Sequence, residues 1–403
     1  MRLALVSQEY PPETAHGGIG TQTYVRAHGL SALGHDVHVI SHSTNHERRE
    51  YHDGAVQVTR IPGFDDRLPI TAEPVRWLTY SAQVAVAVSA LHAQAPLDVV
   101  VFPEWGAEGY VHLLNQAERN RIPTIVHIHG PLVMFAHTMG WPEMDSEFYR
   151  TGTVMEGTCL RLADAVSASS RCSAQWCAEH YGLNLGRIPI LHTGVDTQLF
   201  APREISKAER PTILFVGSLA RNKGVHLLLE AACRLAQEFP GLHLRMLGKG
   251  EAPVVAALRA QALAAGLPDL LELPGFVNRK ELPIHFSRAH VFAGPSTYEG
   301  GPGNVYLEAM ACGLPVVACE GSGASEVVIH DATGFLIPAD DAEALTYRLR
   351  QLLSDTALRE AMSAHARRHM VESADSKAYL KRLEAFYAAV AFGPSFAAKA
   401  TCS

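Results

Sequence analysis

The sequence lacks most of the features that mark a stapled, metal-bound or membrane-spanning protein. Its 7 cysteines are odd in number and scattered, with no C-x-x-C pair. Neither a disulfide framework nor a cysteine zinc site is expected from that pattern. Cys159, Cys233, Cys312 and Cys319 stand among apolar neighbours, as buried free thiols do, and this fits a reducing, cytoplasmic compartment. The 21 histidines form no H-E-x-x-H motif, and no D-x-D triplet is present to clamp a divalent cation. No apolar run approaches about 18 residues, so no transmembrane helix is expected. The opening MRLALVSQEYPP has Leu3–Ser7 as its longest apolar stretch, with Glu9 close behind, and reads as a strand rather than a signal peptide. Positive charge is scarce as well. The formal net charge of -7 argues against a nucleic-acid partner. No basic amphipathic helix supports docking on a membrane.

What is present is the composition of a large globular chain. Its 403 residues, 47% of them hydrophobic, suit two domains with a core each. Short β-branched runs alternate with helix-period stretches. In the first half the strand candidates are Leu3–Ser7, Val37–Ser41, Val56–Arg60, Val99–Pro103, Thr124–His129, Ala165–Ala168 and Ile188–His192. A helix over Gly20–Leu33 joins the first two. These runs are almost wholly apolar, as parallel strands covered on both faces are. After a polar linker, Asp196–Pro211, the pattern restarts with strand Ile213–Gly217, helix Gly224–Glu238, strand Leu242–Leu247, helix Ala252–Ala265, strand Leu270–Leu273, helix Arg279–Ser287, strand His290–Ala293, helix Asn304–Ala311 and strand Pro315–Ala318. Two such βαβα series predict an α/β protein of two Rossmann-like domains, with ligands at the carboxyl ends of the strands in a cleft between them. The boundaries read as 1–200, 201–375 and a terminal helical segment 376–403, the last with apolar residues at Tyr379, Leu380, Leu383, Phe386 and Tyr387.

Four stretches carry chemistry. In YEGGPGNVYLEAMACG, Tyr298–Gly313, a permissive loop opens a helix at Asn304 directly after Gly303. A helix start offers free N–H groups and about half a positive charge, a seat for anions or sugar hydroxyls. Glu308 falls inside an otherwise apolar turn beside Val305 and needs hydrogen-bond donors, such as a ribose diol. Glu299 in the loop is placed to accept from sugar hydroxyls. The plainer alternative is a helix-dipole acid and a surface loop acid. In FVGSLARNKGVHLLLEA, Phe215–Ala231, Arg221 and Lys223 follow a strand end at Gly217 and Ser218, where two cations suit a diphosphate or are simply solvated loop charges. In PPETAHGGIGTQTY, Pro11–Tyr24, Gly17 and Gly18 precede a helix, a phosphate or sugar cradle. As a dinucleotide fingerprint it fails, because Thr23 stands at the third glycine and no acid ends the next strand. In IVHIHGP, Ile125–Pro131, His129 sits at a strand end, with His127 on the same side as a rival.

Taken together, LEAMACGLPVVA, FVGSL with its following KG, HTGVDTQLF (His192–Phe200), GSGASEVV (Gly321–Val328) and ATGFLIP (Ala332–Pro338) resemble the family-4 retaining glycosyltransferases of GT-B fold. GGIGTQTYVRAHGLSALGHDVHVIS resembles the family's amino-terminal segment. The resemblance spans nearly the whole chain and is densest from Gly194 to Pro338. It implies that Arg221 and Lys223 hold a donor diphosphate, with Gly217 and Ser218 beside it. It further implies that Glu308 binds the nucleotide ribose, that Glu299 contacts the donor sugar, and that the Gly303, Asn304 and Val305 backbone meets sugar hydroxyls or phosphate. Gly17 and Gly18 would close over the phosphate, His129 would lie beside the transferred sugar, and the final helix would cross back onto the first domain. Glu326 falls in a structural turn. The sequence departs from the family in two places. One extra residue separates Glu299 from Glu308, and Ser218 stands where arginine is common, leaving Arg221 as its replacement.

The expected reaction moves a sugar from a nucleoside-diphosphate sugar, UDP-linked first and GDP-linked next, to a hydroxyl acceptor with retention. No metal or other cofactor is needed. Arg221, Lys223 and the Asn304 helix start would take up the developing diphosphate charge, and losing one such donor typically costs about 3 kcal/mol of barrier. A nucleotide-sugar epimerase of the same architecture would need first-domain carboxylates placed for elimination, and none stands out in the sequence. A non-catalytic nucleotide-sugar sensor has no reason to carry Glu299, Glu308, Arg221, Lys223 and His129 together. The acceptor, a sugar, small molecule or lipid-linked sugar, would be read by Gly63–Trp77 and Met134–Tyr149, where Trp77, Phe135, Trp141, Phe148 and Tyr149 could stack on it or serve as core.

Overall fold

The computed structural model describes residues 1–14, 18–45, 47–63, 72–116 and 121–393. The chain divides into two compact units. Met1–His192 together with the terminal helix from Tyr379 forms one, and Thr193–Ala378 forms the other.

The first unit carries seven strands: β1 Arg2–Val6, β2 Asp36–Ser43, β3 Arg49–Asp53, β4 Val56–Pro62, β5 Val99–Pro103, β6 Thr124–Ile128 and β7 Ala165–Ala168. Between and after them run helices α1 Gly18–Ala32, α2 Glu73–Gln94, α3 Tyr110–Leu114, α4 Leu132–Met139, α5 Glu147–Leu162 and α6 Arg171–Tyr181. The sheet order is β3-β4-β2-β1-β5-β6-β7, parallel except at β3. Every residue of β5 and β6 is buried, which is why these strands read as unbroken apolar runs. Helix starts follow the chain's own caps. Ser146 accepts from Tyr149 N at the head of α5, and Ser170 does the same from Ser173 N for α6.

Two sequence readings need correction here. Strand β3 was not expected. Its REYHD sequence is polar because it is an antiparallel edge, mostly exposed, turned into β4 through Gly54 at φ 60°. Conversely, Ile188–His192 is not a strand. Only Ile190 bridges to Ala168. Pro189, in the middle of that run, has no N–H to extend a ladder.

The second unit holds β8 Thr212–Val216, β9 His243–Leu247, β10 Leu271–Gly275, β11 Val291–Gly294, β12 Val316–Cys319 and β13 Gly334–Ile337. Its helices are α7 Val225–Leu235, α8 Ala252–Ala264, α9 Leu282–Arg288, α10 Asn304–Ala311, α11 Ala342–Ser354 and α12 Thr356–Ser373. All six strands are parallel, ordered β10-β9-β8-β11-β12-β13. Two apolar layers, one on each sheet face, centre on Leu228, Leu244 and Leu349 and on Phe286, Phe292 and Leu307. The order reverses direction at β8 and β11, the topological switch point where open α/β sheets take ligands.

Helix α13, Ser376–Phe392, packs on the first unit. Tyr379, Leu383, Tyr387 and Ala391, four residues apart, are buried against Leu3, Leu5 and Leu30. Among the described residues, no helix is long and apolar enough to cross a membrane.

Candidate functional site

In the second unit the switch-point loops are locked together by glycines that nothing else could replace. Gly224, at φ 70°, caps the one-turn helix Arg221–Lys223, and a Cβ there would lie 2.1 Å from the Pro295 carbonyl oxygen. Across this close approach Thr297 N donates to Asn222 O at 3.0 Å. The loops after β8 and β11 therefore act as one platform. On it Lys223 Nζ meets Glu299 Oε1 at 2.7 Å, with the two side chains 25% and 15% exposed. Arg221 is exposed beside them. Gly303, at φ 71°, leads directly into α10, so the free N–H groups of Asn304 and Val305 face out at the head of that helix. The loop before α10 packs closely on the Gly323 turn: a Cβ on Gly323 would lie 2.2 Å from Gly301 O, and Gly323 N donates to Glu299 O at 2.8 Å.

Glu308 lies one turn into α10 and is buried. Burial raises its carboxyl above the ordinary range, opposed by Arg279, whose Nε donates at 2.8 Å. Arg279 in turn sits over the Phe200 ring at 4.9 Å. Sequence reasoning found Glu308 and missed Arg279, which lies in the polar NRKE stretch before α9 and carries no local signal of its own. The donors that the buried acid needs are thus partly supplied from within the chain.

In the first unit Gly18 opens α1 at φ 56°, and Glu9, just beyond β1, accepts from Gly20 N at 3.2 Å. Burial raises the Glu9 carboxyl, and the Gly20 N–H opposes it. An acid of the chain itself therefore occupies the first turn of α1. Gly17 lies outside the described residues. His129, at the end of β6, is buried, as is His127 two residues earlier, and their rings meet edge-on at 4.7 Å. Burial, then the nearby Arg26 charge, holds both imidazoles well below the ordinary histidine range, so both are neutral near pH 7. The two rings differ in their partners. His127 is spoken for by Arg26 Nη2 at 2.7 Å, Ser167 Oγ at 2.8 Å and Ser169 Oγ at 3.0 Å. The His129 ring has a long 3.4 Å contact with Ser169 Oγ beside its edge-on contact with His127.

What fixes His129 is a residue the sequence reading passed over. Glu104, immediately after β5, is fully buried, and both its oxygens accept from His129 N at 2.8 Å; Oε1 also takes Gly130 N at 2.5 Å. Burial pushes its carboxyl up to about 7 in spite of these bonds. Glu156 performs the same service one turn on, accepting from Leu132 N at 3.0 Å and from Tyr181 OH at 2.7 Å. Both were findable: Glu104 by its strand-end position, and Glu156 as an acid inside an apolar helical stretch, the same signal that singled out Glu308. Among the described residues no group of histidine, cysteine and acid side chains could hold a metal ion.

Both units match known families. Residues 16–199 match Glycosyltransferase Family 4, and residues 197–369 match Glycosyl transferases group 1. A GDP-mannose-dependent alpha-(1-6)-phosphatidylinositol monomannoside mannosyltransferase of Mycolicibacterium smegmatis is 28% identical over 91% of this chain and 92% of its own. A D-inositol 3-phosphate glycosyltransferase of Pseudarthrobacter chlorophenolicus is 33% identical over 64% and 66%. The fold is also that of a sucrose-phosphate synthase of Thermosynechococcus elongatus, TM-score 0.81 at 22% identity, covering 96% of this chain and 98% of the other. Two parallel-sheet Rossmann-like units of this kind define the GT-B class of sugar-transferring enzymes. The chain belongs within that class to the family-4, group 1 glycosyltransferases.

Proposed function

We propose that this glycosyltransferase takes a hexose from a nucleoside-diphosphate sugar and hands it, without a metal ion and with retention, to a hydroxyl acceptor. The observation that carries the donor assignment is the buried Glu308 with its Arg279 partner, one turn behind the open head of α10 and on the same switch-point edge as Lys223 and Glu299. In this reading the carboxylate accepts from a ribose diol and the helix head receives the diphosphate. Lys223 and Arg221 compensate the charge that grows on the leaving phosphate. Glu299, released from Lys223, accepts from the donor sugar. The sugar C1–O(phosphate) bond breaks, the acceptor oxygen bonds to C1 on the same face, and its proton passes to the departing phosphate oxygen. His129, neutral and with its backbone gripped by Glu104, serves as a hydrogen-bonding group toward the transferred sugar rather than as a base.

Guanosine is the first nucleotide to try, because the mycobacterial-type relatives matching over nine-tenths of the chain use GDP-mannose. Uridine, the first expectation from sequence alone, comes second. The free thiols Cys159, Cys177, Cys312 and Cys319, all buried and unlinked, suit a cytoplasmic setting.

Thermal stabilisation by GDP, UDP, ADP, dTDP and CMP tests the reading. A specific ligand at 100 times its dissociation constant adds about 2.7 kcal/mol. One nucleoside diphosphate should stabilise the wild type and fail to stabilise Glu308→Ala. Equal stabilisation of both proteins, or of neither by any of the five, overturns the site assignment. Chelation should leave transfer intact, and the product anomer read by NMR should match the donor's.

A further inference from the structure

The first unit buries a positive charge that the donor chemistry does not use. Arg26 lies midway along α1 and is only 4% exposed. Its hydrogen-bond partners among the described residues are all neutral. Nε donates to the Tyr379 hydroxyl at 2.7 Å, and Nη2 donates to Gln22 Oε1 at 3.2 Å and to His127 Nε2 at 2.7 Å. Glu104, the buried acid of this region, spends its oxygens on the His129 and Gly130 N–H groups. A buried guanidinium without a carboxylate bonded to it is expensive to keep. Arg26, His127 and His129 line one small cavity at the carboxyl ends of β1, β5 and β6, together with Ile19 and Thr23 of α1. The charge is therefore set directly behind the histidine assigned to the sugar.

The guanidinium dictates where the protons go. Arginine stays charged and has only N–H groups to offer, so the 2.7 Å contact makes His127 Nε2 an acceptor. The ring proton of His127 is then on Nδ1 and goes to Ser167 Oγ at 2.8 Å. Ser169 Oγ stands between the two rings, 3.0 Å from His127 Nε2 and 3.4 Å from His129 Nδ1. Its hydroxyl has one proton to give. The single in-plane lone pair of His127 Nε2 is taken by Arg26 at the shorter distance, so the Ser169 proton turns to His129 Nδ1. That leaves the His129 proton on Nε2. Without Arg26 the lone pair of His127 is open to Ser169, and 3.0 Å is a better hydrogen bond than 3.4 Å. Ser169 Oγ then accepts from a proton on His129 Nδ1, and the His129 tautomer is no longer fixed.

We propose that Arg26 is a positioning residue for sugar transfer: through His127 and Ser169 it holds His129 in the Nε2–H tautomer, so that His129 meets the transferred sugar as a hydrogen-bond donor to one of its oxygens. The proposal rests on the place given to His129 beside that sugar, and adds the direction of its hydrogen bond. Arg26 acts through its two intermediaries and not on the sugar itself.

The test is long-range proton–nitrogen correlation NMR on the full chain labelled at histidine, where the protonated and unprotonated nitrogens of a neutral imidazole resonate far apart. His127→Gln and His129→Gln identify the two rings. In the wild type at pH 7, His129 should be the Nε2–H form and His127 the Nδ1–H form. Arg26→Met keeps the bulk and removes the charge, and the Nδ1–H form of His129 should appear in it. Arg26→Lys still donates to His127 and should keep the wild-type pattern. Ser169→Ala leaves Arg26 in place and removes the intermediary, so it should free the His129 tautomer while His127 stays Nδ1–H. Circular dichroism melting shows which variants fold, and Ser169→Ala carries the test if Arg26→Met does not. His129 as Nδ1–H in the wild type, or as Nε2–H alone in every folded variant of Arg26→Met and Ser169→Ala, overturns the proposal. The spectra need no substrate. Tautomers as expected in a wild type that no nucleoside diphosphate stabilises would uphold the relay and sink the donor reading instead.

Discussion

Replacing Arg279 by alanine should show how the buried Glu308 carboxylate is held. Glu308 is 3% exposed and, among the described residues, takes its side-chain hydrogen bond from Arg279 Nε at 2.8 Å, so the substitution strands a buried acid. Losing a charge-assisted bond to a buried group costs about 2 kcal/mol when that group stays charged. For a unit of this size that is roughly 4–8 °C in Tm. The acid can escape the cost by keeping its proton. Burial already raises the folded carboxyl above its ordinary 4.5, and without Arg279 it rises further. A group whose pKa is higher folded than unfolded binds more protons in the native state, so stability is retained below the unfolded value and declines as pH climbs through the folded one. The deficit of Arg279→Ala should therefore be small at pH 5 and full at pH 8, measured by urea unfolding followed by circular dichroism. In the double variant with Glu308→Gln it should no longer vary with pH beyond the wild-type trend. A deficit of equal size at both pH values would refute the argument that Arg279 acts by holding Glu308 ionised.

Lys223→Ala should separate chemistry from stability. Its contact with Glu299 is partly exposed and worth about 0–1 kcal/mol to the fold, while on the proposed role the loss of one diphosphate donor should cut kcat by roughly a hundredfold; Tm and steady-state rates read the two. Gly224→Ala should cost more than 3 kcal/mol or abolish folding, since the new Cβ meets a carbonyl oxygen at 2.1 Å and the backbone is left-handed; circular dichroism melting checks it. Glu104, raised by burial from 4.5 to about 7, should make the wild type lose stability between those values, so Glu104→Gln should flatten the stability profile between pH 5 and pH 8, and an unflattened profile would show that the carboxyl is not protonated in that range.

The layered α/β plan was readable because its strands are buried on both faces: the apolar runs that gave Val99–Pro103 and Ala165–Ala168 are the observed strands end to end. The antiparallel edge β3 was not readable, because a strand that faces water has no apolar run to find. In the site, the residues that stand out against their neighbours were legible. Lys223 and Glu299 were assigned separate tasks from two distant stretches, and the fold brings them to 2.7 Å. Arg279 was not legible, since a cation in a polar turn looks like any other until the helix carrying Glu308 is laid beside it. Glu104 was visible but unread: an acid at the end of a fully buried strand has only backbone N–H groups to turn to, and here they belong to His129 and Gly130.

Helix α13 carries a consequence for how the chain matures. Tyr379, Leu383 and Tyr387 complete an apolar layer begun by Leu3 and Leu5, and the Tyr379 hydroxyl takes a 2.7 Å bond from Arg26 Nε, whose other arm reaches His127. The strand β1 therefore waits for a helix synthesised long after it. Until α13 emerges, one face of the first unit's sheet stays open to water and Arg26 lacks its tyrosine. Domains that fold as they are synthesised usually close in order from the amino terminus. Here the second unit, contiguous in sequence, is able to close first, and the older half of the nascent chain is the one exposed to chaperones and aggregation.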